Sequence, residues 1–137
     1  MIYVDSNVFL YAILNEKTDN MAKCSISILE KIIRKEINAS TSFLTWDEVV
    51  WNIRKNLNNK MAIQEGRKFM EFPNLKFIHA DQIVINEAQR LMETYEIKPR
   101  DAIHAASAVS CGIKEIISDD PDFDAVKEIK RVKIEKF

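Results

Sequence analysis

Short apolar runs alternate with longer amphipathic ones along this chain. Ile2-Tyr3-Val4 opens it with the β-branched and aromatic content of a buried strand. Asp5-Ser6-Asn7 ends that run and caps a segment in which Val8, Phe9, Ala12 and Ile13 recur at helical spacing. From Met21 to about Glu36 the apolar residues Ala22, Ile26, Ile28, Leu29, Ile32 and Ile33 repeat with a helical period, and basic residues take the other face. A second strand is expected over Ala39 to Leu44. Thr45-x-x-Glu48 then reads as a capping box for a helix through Val49, Val50, Ile53 and Leu57.

Asn58-Asn59 interrupts that helix, and another runs from Met61 to Met70. Phe72-Pro73-Asn74 is a turn leading into a third strand, Leu75 to His79. Asp81 caps a helix carrying Ile83, Val84, Ala88, Leu91 and Met92. Pro99 suits the first turn of the next helix, whose small residues Ala102, Ala105, Ala106, Ser107 and Ala108 predict close packing before Gly112 ends it. Glu115-Ile116-Ile117 is the fourth strand, closed by Ser118-Asp119-Asp120, and Val132 to Ile134 supplies a fifth.

Strands alternating with helices imply βαβ crossovers: an α/β fold with a mainly parallel central sheet and helices on its faces. No Gly-rich turn comes after the first strand, so the dinucleotide fingerprint and the phosphate-binding P-loop are both absent. With 137 residues the chain fits one domain over residues 1–137. Its 20 basic and 21 acidic residues leave a formal charge of −1, so any nucleic-acid partner must be met by how charge is distributed. Cys24 and Cys111 lack metal-ligand spacing and read as small core residues of a reducing cytosol. No signal peptide or membrane-length apolar run is evident, so a cytoplasmic protein without a membrane role is expected.

The chemistry lies in four carboxylates. Asp5 and Asp120 come directly after strands, while Glu48 and Asp101 fall early in helices leaving the carboxyl end of the sheet. Each has a local explanation as a turn, a cap or a dipole partner. Together they converge on the crevice of an open parallel sheet. Two unit charges ~4 Å apart repel by about 4 kcal/mol at an effective dielectric of 20, and a bound cation removes that penalty. Oxygen-rich ligation suits Mg²⁺ or Mn²⁺. Asn7 and Ser118 are candidate supports for Asp5 and Asp120, and Asp119 and Asp122 lie close enough to join the cluster. His104, one helical turn after Asp101, reads first as a core or interface histidine.

These segments resemble the PIN-domain family, in particular the VapC-type toxins of prokaryotic toxin–antitoxin pairs. The resemblance rests on Val4-Asp5-Ser6-Asn7, on Glu48, on the run Pro99-Arg100-Asp101-Ala102-Ile103-His104-Ala105-Ala106, and on Ile117-Ser118-Asp119-Asp120-Pro121-Asp122-Phe123. It covers nearly the whole chain and implies a PIN-like three-layer fold. It also implies metal ligation by Asp5, Glu48, Asp101 and Asp120, with Asp122 as an accessory acid and Asn7 and Ser118 as polar supports. By the same resemblance the chain is expected to be a homodimeric endoribonuclease using Mg²⁺ or Mn²⁺, restrained by a small antitoxin protein. Some relatives process RNA instead of acting as toxins.

Clustered acids do not by themselves name the polymer. A phosphatase, a DNA-directed nuclease and a non-catalytic nucleic-acid or partner-binding module are the competing readings. Phosphatases of this general architecture often carry a second Asp two residues after the first; here that position is Asn7. An RNA substrate needs basic residues beside the acids, and Arg100, Arg54, Lys55, Lys60, Arg67 and Lys68 are the candidates. The helix from about Ile26 to Ile33 is expected either to pack on the sheet or to face a dimer or inhibitor partner.

Overall fold

The computed structural model describes residues 1–137 throughout. Five strands, β1 (Ile2–Val4), β2 (Ala39–Ser42), β3 (Leu75–Ile78), β4 (Glu115–Ile117) and β5 (Lys130–Val132), form one sheet in the order β3-β2-β1-β4-β5. Every neighbouring pair is parallel. The connections hold α1 (Ser6–Leu14), α2 (Asn20–Ile33), α3 (Leu44–Asn56), α4 (Asn59–Met70), α5 (Gln82–Thr94) and α6 (Pro99–Ser110). Short 3-10 turns lie at Pro121–Ala125 and Ile134–Lys136. No helix is long and apolar enough to cross a membrane.

The pleat of β1 divides the core. Ile2 and Val4 join Val8, Phe9, Ile32, Val49 and Phe69 from α1 to α4 on one face. Tyr3 points to the other face, among Leu91 of α5 and Ala102, Ala105 and Ala106 of α6. Ile116 and Ile117 split the same way. This alternation makes three layers, as a parallel sheet covered on both faces requires. The chain runs outward from β1 to β3, then returns to the far side of β1 as β4. That reversal opens a crevice at the carboxyl ends of β1 and β4.

β2 is polar yet wholly buried, which obliges its hydroxyls to find partners. Thr41 donates to the Val4 carbonyl at 2.8 Å and meets Thr45 Oγ1 at 2.7 Å. Thr45 is therefore drawn inside α3 and does not cap it. The helix begins with Phe43 at the cap position and no side-chain cap bond, so the expected capping box is absent and Glu48 is free for other contacts.

Two further expectations change, and the packing of α2 on the core is as one of its two readings has it. β5 lies at Lys130–Val132, where Lys130 faces water and Arg131 folds onto Asp124, while Ile134 enters the core from a 3-10 turn. Both cysteines are free: Cys24, half-buried, packs against the core from its edge, and Cys111 is exposed at the end of α6. α2 buries Ala22, Ile28 and Ile32, packing against α1, and leaves Ile33 exposed. Elsewhere Asp19, Asn58 and Asp81 cap α2, α4 and α5 through their side chains. Gly66 lets α3 and α4 approach closely, since a Cβ there would meet Val50 Cγ2 at 2.9 Å.

Candidate metal centre

Three acids converge at the mouth of the crevice. Asp101 sits in the first turn of α6, started by Pro99, and Asp120 and Asp122 come from the loop and 3-10 turn after β4. One carboxylate oxygen from each lies within 4.8 Å of the others. The loop is held by its own bonds: Asp120 Oδ1 accepts from the Asp122 N–H at 2.9 Å, and the Asp120 N–H donates to Ser118 Oγ at 3.0 Å. The nearest cation, exposed Lys98, reaches Asp122 only at 3.9 Å. Burial, then the charges of Asp120 and Asp5, push the Asp101 carboxyl up to about 6.

Asp5 and Glu48 lie deeper and are held differently. The Ser118 hydroxyl donates to Asp5 Oδ2 at 2.6 Å and the Ser6 N–H donates to Oδ1 at 2.7 Å. Burial raises the Asp5 carboxyl, against the lowering pull of His104 and of the Ser118 bond. Glu48 Oε2 accepts from the Ser6 hydroxyl at 3.1 Å, and Oε1 meets His104 Nε2. Burial works to raise the Glu48 carboxyl, but His104 and Ser6 outweigh it and the net shift is downward. The same His104 nitrogen stands 3.8 Å from Asp5 Oδ1.

Ser118 joins the two groups. Its hydroxyl donates to Asp5 and accepts from the Asp120 N–H and from Asn7 Nδ2, the latter at 3.2 Å. Asn7 Oδ1 is buried and has no hydrogen-bond partner. Clustered carboxylate oxygens whose one ion pair is with an exposed lysine, together with a buried amide oxygen left unpaired on Asn7, match the donor chemistry of a hard divalent cation. Asp101, Asp120 and Asp122 can coordinate such a cation.

Of the residues singled out in the sequence, Asp101, Asp120 and Asp122 come together, and Asp5 and Glu48 adjoin them in contact with His104. Asp119 turns aside and accepts from the Tyr11 hydroxyl at 2.6 Å, a bond that is the first cause pushing the Tyr11 hydroxyl up to about 12. Arg100 stands 3.8 Å from Asp47 on α3. Ser6, Tyr3 and Lys98 are contacts that sequence reasoning missed. A tyrosine within a buried strand was the available signal for one of them, because its hydroxyl must find a partner.

The model of the PIN domain family matches residues 2–129. No curated protein sequence matches the chain. Among solved structures, the chain resembles FitAcB from Neisseria gonorrhoeae, with TM-score 0.76, 18% identity and 100% of both chains covered. It resembles DNA-bound VapBC from Salmonella typhimurium, with TM-score 0.75, 14% identity and 97% of each chain covered. VapC20 from Mycobacterium tuberculosis, a toxin that cleaves the sarcin–ricin loop, gives TM-score 0.70 and 16% identity over 93% of this chain and 95% of that one. At such identities the likeness is one of fold.

Proposed function

The chain belongs to the PIN-domain family, and from that premise we propose that residues 1–137 form a metal-dependent endoribonuclease, the toxin of a toxin–antitoxin pair. The observation that carries this reading is the group of Asp101, Asp120 and Asp122 within 4.8 Å of one another, with no cation closer to them than exposed Lys98 at 3.9 Å. The fold resembles that of VapC20, a toxin that cleaves the sarcin–ricin loop.

Asp101, Asp120 and Asp122 would hold Mg²⁺ or Mn²⁺, with Asp5 adding negative charge beside them. A bound ion of this kind supplies a water acidified toward neutral pH and a positive charge against the phosphate. Glu48, fixed by His104 and Ser6, accepts a hydrogen bond from the attacking water and orients it. Ser118 keeps the Asp5 carboxylate and the Asp120 backbone in one frame. Lys98 and Arg100, both exposed beside the acids, offset their field where the RNA backbone approaches.

The site needs a restraint in the cell, and a small antitoxin protein would provide it in the cytoplasm. Trp46, Val50, Ile63 and Met70 line an open groove of about 390 Å³ between α3 and α4, an apolar surface that such a partner would cover. A second copy of the chain would complete a homodimer.

The test is incubation of purified, antitoxin-free protein with RNA, matched DNA and a small phosphate ester, titrating Mg²⁺ and Mn²⁺. Cleavage of RNA alone, abolished by chelation, is expected. Hydrolysis of the ester without RNA cleavage would replace the reading with a phosphatase, and tight RNA binding without turnover in either metal would replace it with a binding module.

A further inference from the structure

A line of buried polar groups crosses the molecule from β2 to the crevice. The Ser42 N–H donates to the Tyr3 hydroxyl at 2.9 Å, that hydroxyl lies 2.6 Å from His104 Nδ1, and His104 Nε2 meets Glu48 Oε1. Tyr3, Ser42 and His104 are fully buried, and the tyrosine and imidazole rings meet edge to face. Packing alone would be served as well by a phenylalanine at position 3.

We propose that Tyr3 and His104 are positioning residues, a relay that starts at a backbone N–H in the sheet and fixes the Glu48 carboxylate. The direction of each bond is set by the inventory of protons. A backbone N–H only donates, so it occupies the lone-pair side of the Tyr3 oxygen. The single phenol proton then goes to His104 Nδ1, which must accept. The ring's own proton is left on Nε2, pointing at Glu48. Glu48 thus receives one donor on each oxygen, His104 on Oε1 and the Ser6 hydroxyl on Oε2. Its orientation is set from both sides.

A ring protonated on both nitrogens would strand the phenol proton in the core without an acceptor. The neutral ring protonated on Nε2 leaves no member of the line unpaired. It also places its one proton where Glu48 and Asp5 come closest, with Asp5 Oδ1 3.8 Å from Nε2.

The relay deepens the nuclease reading and rests on it for its kinetic half only. The tautomer is read first, without substrate, by long-range ¹⁵N–¹H correlation spectra of the metal-free protein at neutral pH. Proton on Nε2 and none on Nδ1 is the expected result. Tyr3→Phe, which preserves the packed ring, should move the Nδ1 signal and lower kcat for RNA roughly tenfold while KM stays within about twofold. His104→Gln, which keeps an N–H near Glu48, should retain more activity than His104→Leu. A native ring protonated on Nδ1 or on both nitrogens overturns the relay. So does a Tyr3→Phe protein with unchanged His104 signals. Absence of RNA cleavage by the native chain would count against the nuclease reading and leave the ring spectra to decide the relay.

Discussion

The five acids of the crevice divide into an inner pair and an outer trio, and the protein treats them in opposite ways. Asp5 and Glu48 are each held by at least two donors, from Ser6, Ser118 and His104. Asp101, Asp120 and Asp122 face one another with one backbone N–H on Asp120 and an exposed lysine 3.9 Å from Asp122. In the inner pair the fold has already satisfied the charge. In the outer trio it has gathered charge and left most of it unsatisfied, which is costly unless a cation arrives. Proximity of carboxylates is thus a weak guide to a metal site, whereas proximity with few protein donors is a stronger one.

The largest effect should come from breaking the outer trio. Asp101→Asn with Asp120→Asn removes two of the proposed direct donors, so Mn²⁺ affinity should fall by more than the roughly 10–100-fold that a supporting residue commands. The folded protein should survive, because the change relieves repulsion. Thermal melting of the metal-free double variant is expected at or above the native temperature. A drop of many degrees would mean that these acids are structural.

Disturbing the junction should have a smaller and different effect. Ser118→Ala leaves a buried Asp5 oxygen without its donor and should cost about 1–3 kcal/mol of stability in denaturant titrations. An unchanged unfolding midpoint would show that water replaces the hydroxyl at no cost. The inner pair would then be less firmly held than the comparison requires.

The two groups also separate by pH. The Asp101 carboxyl is raised from 3.8 to about 6 in the folded chain. A raised acid holds its proton more tightly folded than unfolded. Its contribution to stability is therefore fully present below 3.8 and lost as pH rises through about 6. Metal-free protein should lose melting temperature across that window, Asp101→Asn should flatten the loss, and saturating Mn²⁺ should reverse it. A native profile flat from pH 4 to 7, roughly the span between the two states' values, would contradict the crowding of charge.

The smallest effects belong to the rim. Lys98→Gln and Arg100→Gln, at exposed pairs 3.9 and 3.8 Å long, should change stability by under about 1 kcal/mol. If they meet RNA phosphates, each should weaken RNA binding and reduce its salt slope by about one. Unchanged salt dependence would place the RNA path elsewhere.

Much of the molecule was legible in the chain itself, for local reasons. Ile2-Tyr3-Val4 and Glu115-Ile116-Ile117 are runs whose composition suits a buried strand. Asp81 caps α5 and Asp120 caps the 3-10 turn after β4, as their side chains predict. Asp5, Asp101 and Asp120 could be placed at one sheet end because parallel crossovers send every strand's carboxyl end the same way. What could not be read was competition between partners. Thr45 and Glu48 fit a capping box by spacing, but Thr41 and His104 offered bonds from elements whose position only the packed fold determines. Tyr3 and His104 are 101 residues apart, and nothing local announces their bond. By position alone Asp119 and Asp122 were equal candidates and only the family resemblance favoured Asp122; the 3-10 turn carries Asp122 into the trio while Tyr11 holds Asp119 away.

The most direct test of this division is calorimetric titration of Mn²⁺ into metal-free native protein, Asp101→Asn/Asp120→Asn protein and Glu48→Gln protein, each shown to be folded. Clear binding by the native chain, none by the double variant, and weakened but measurable binding by Glu48→Gln are predicted. Binding that survives in the double variant and vanishes in Glu48→Gln would contradict the division, placing the cation on the inner pair.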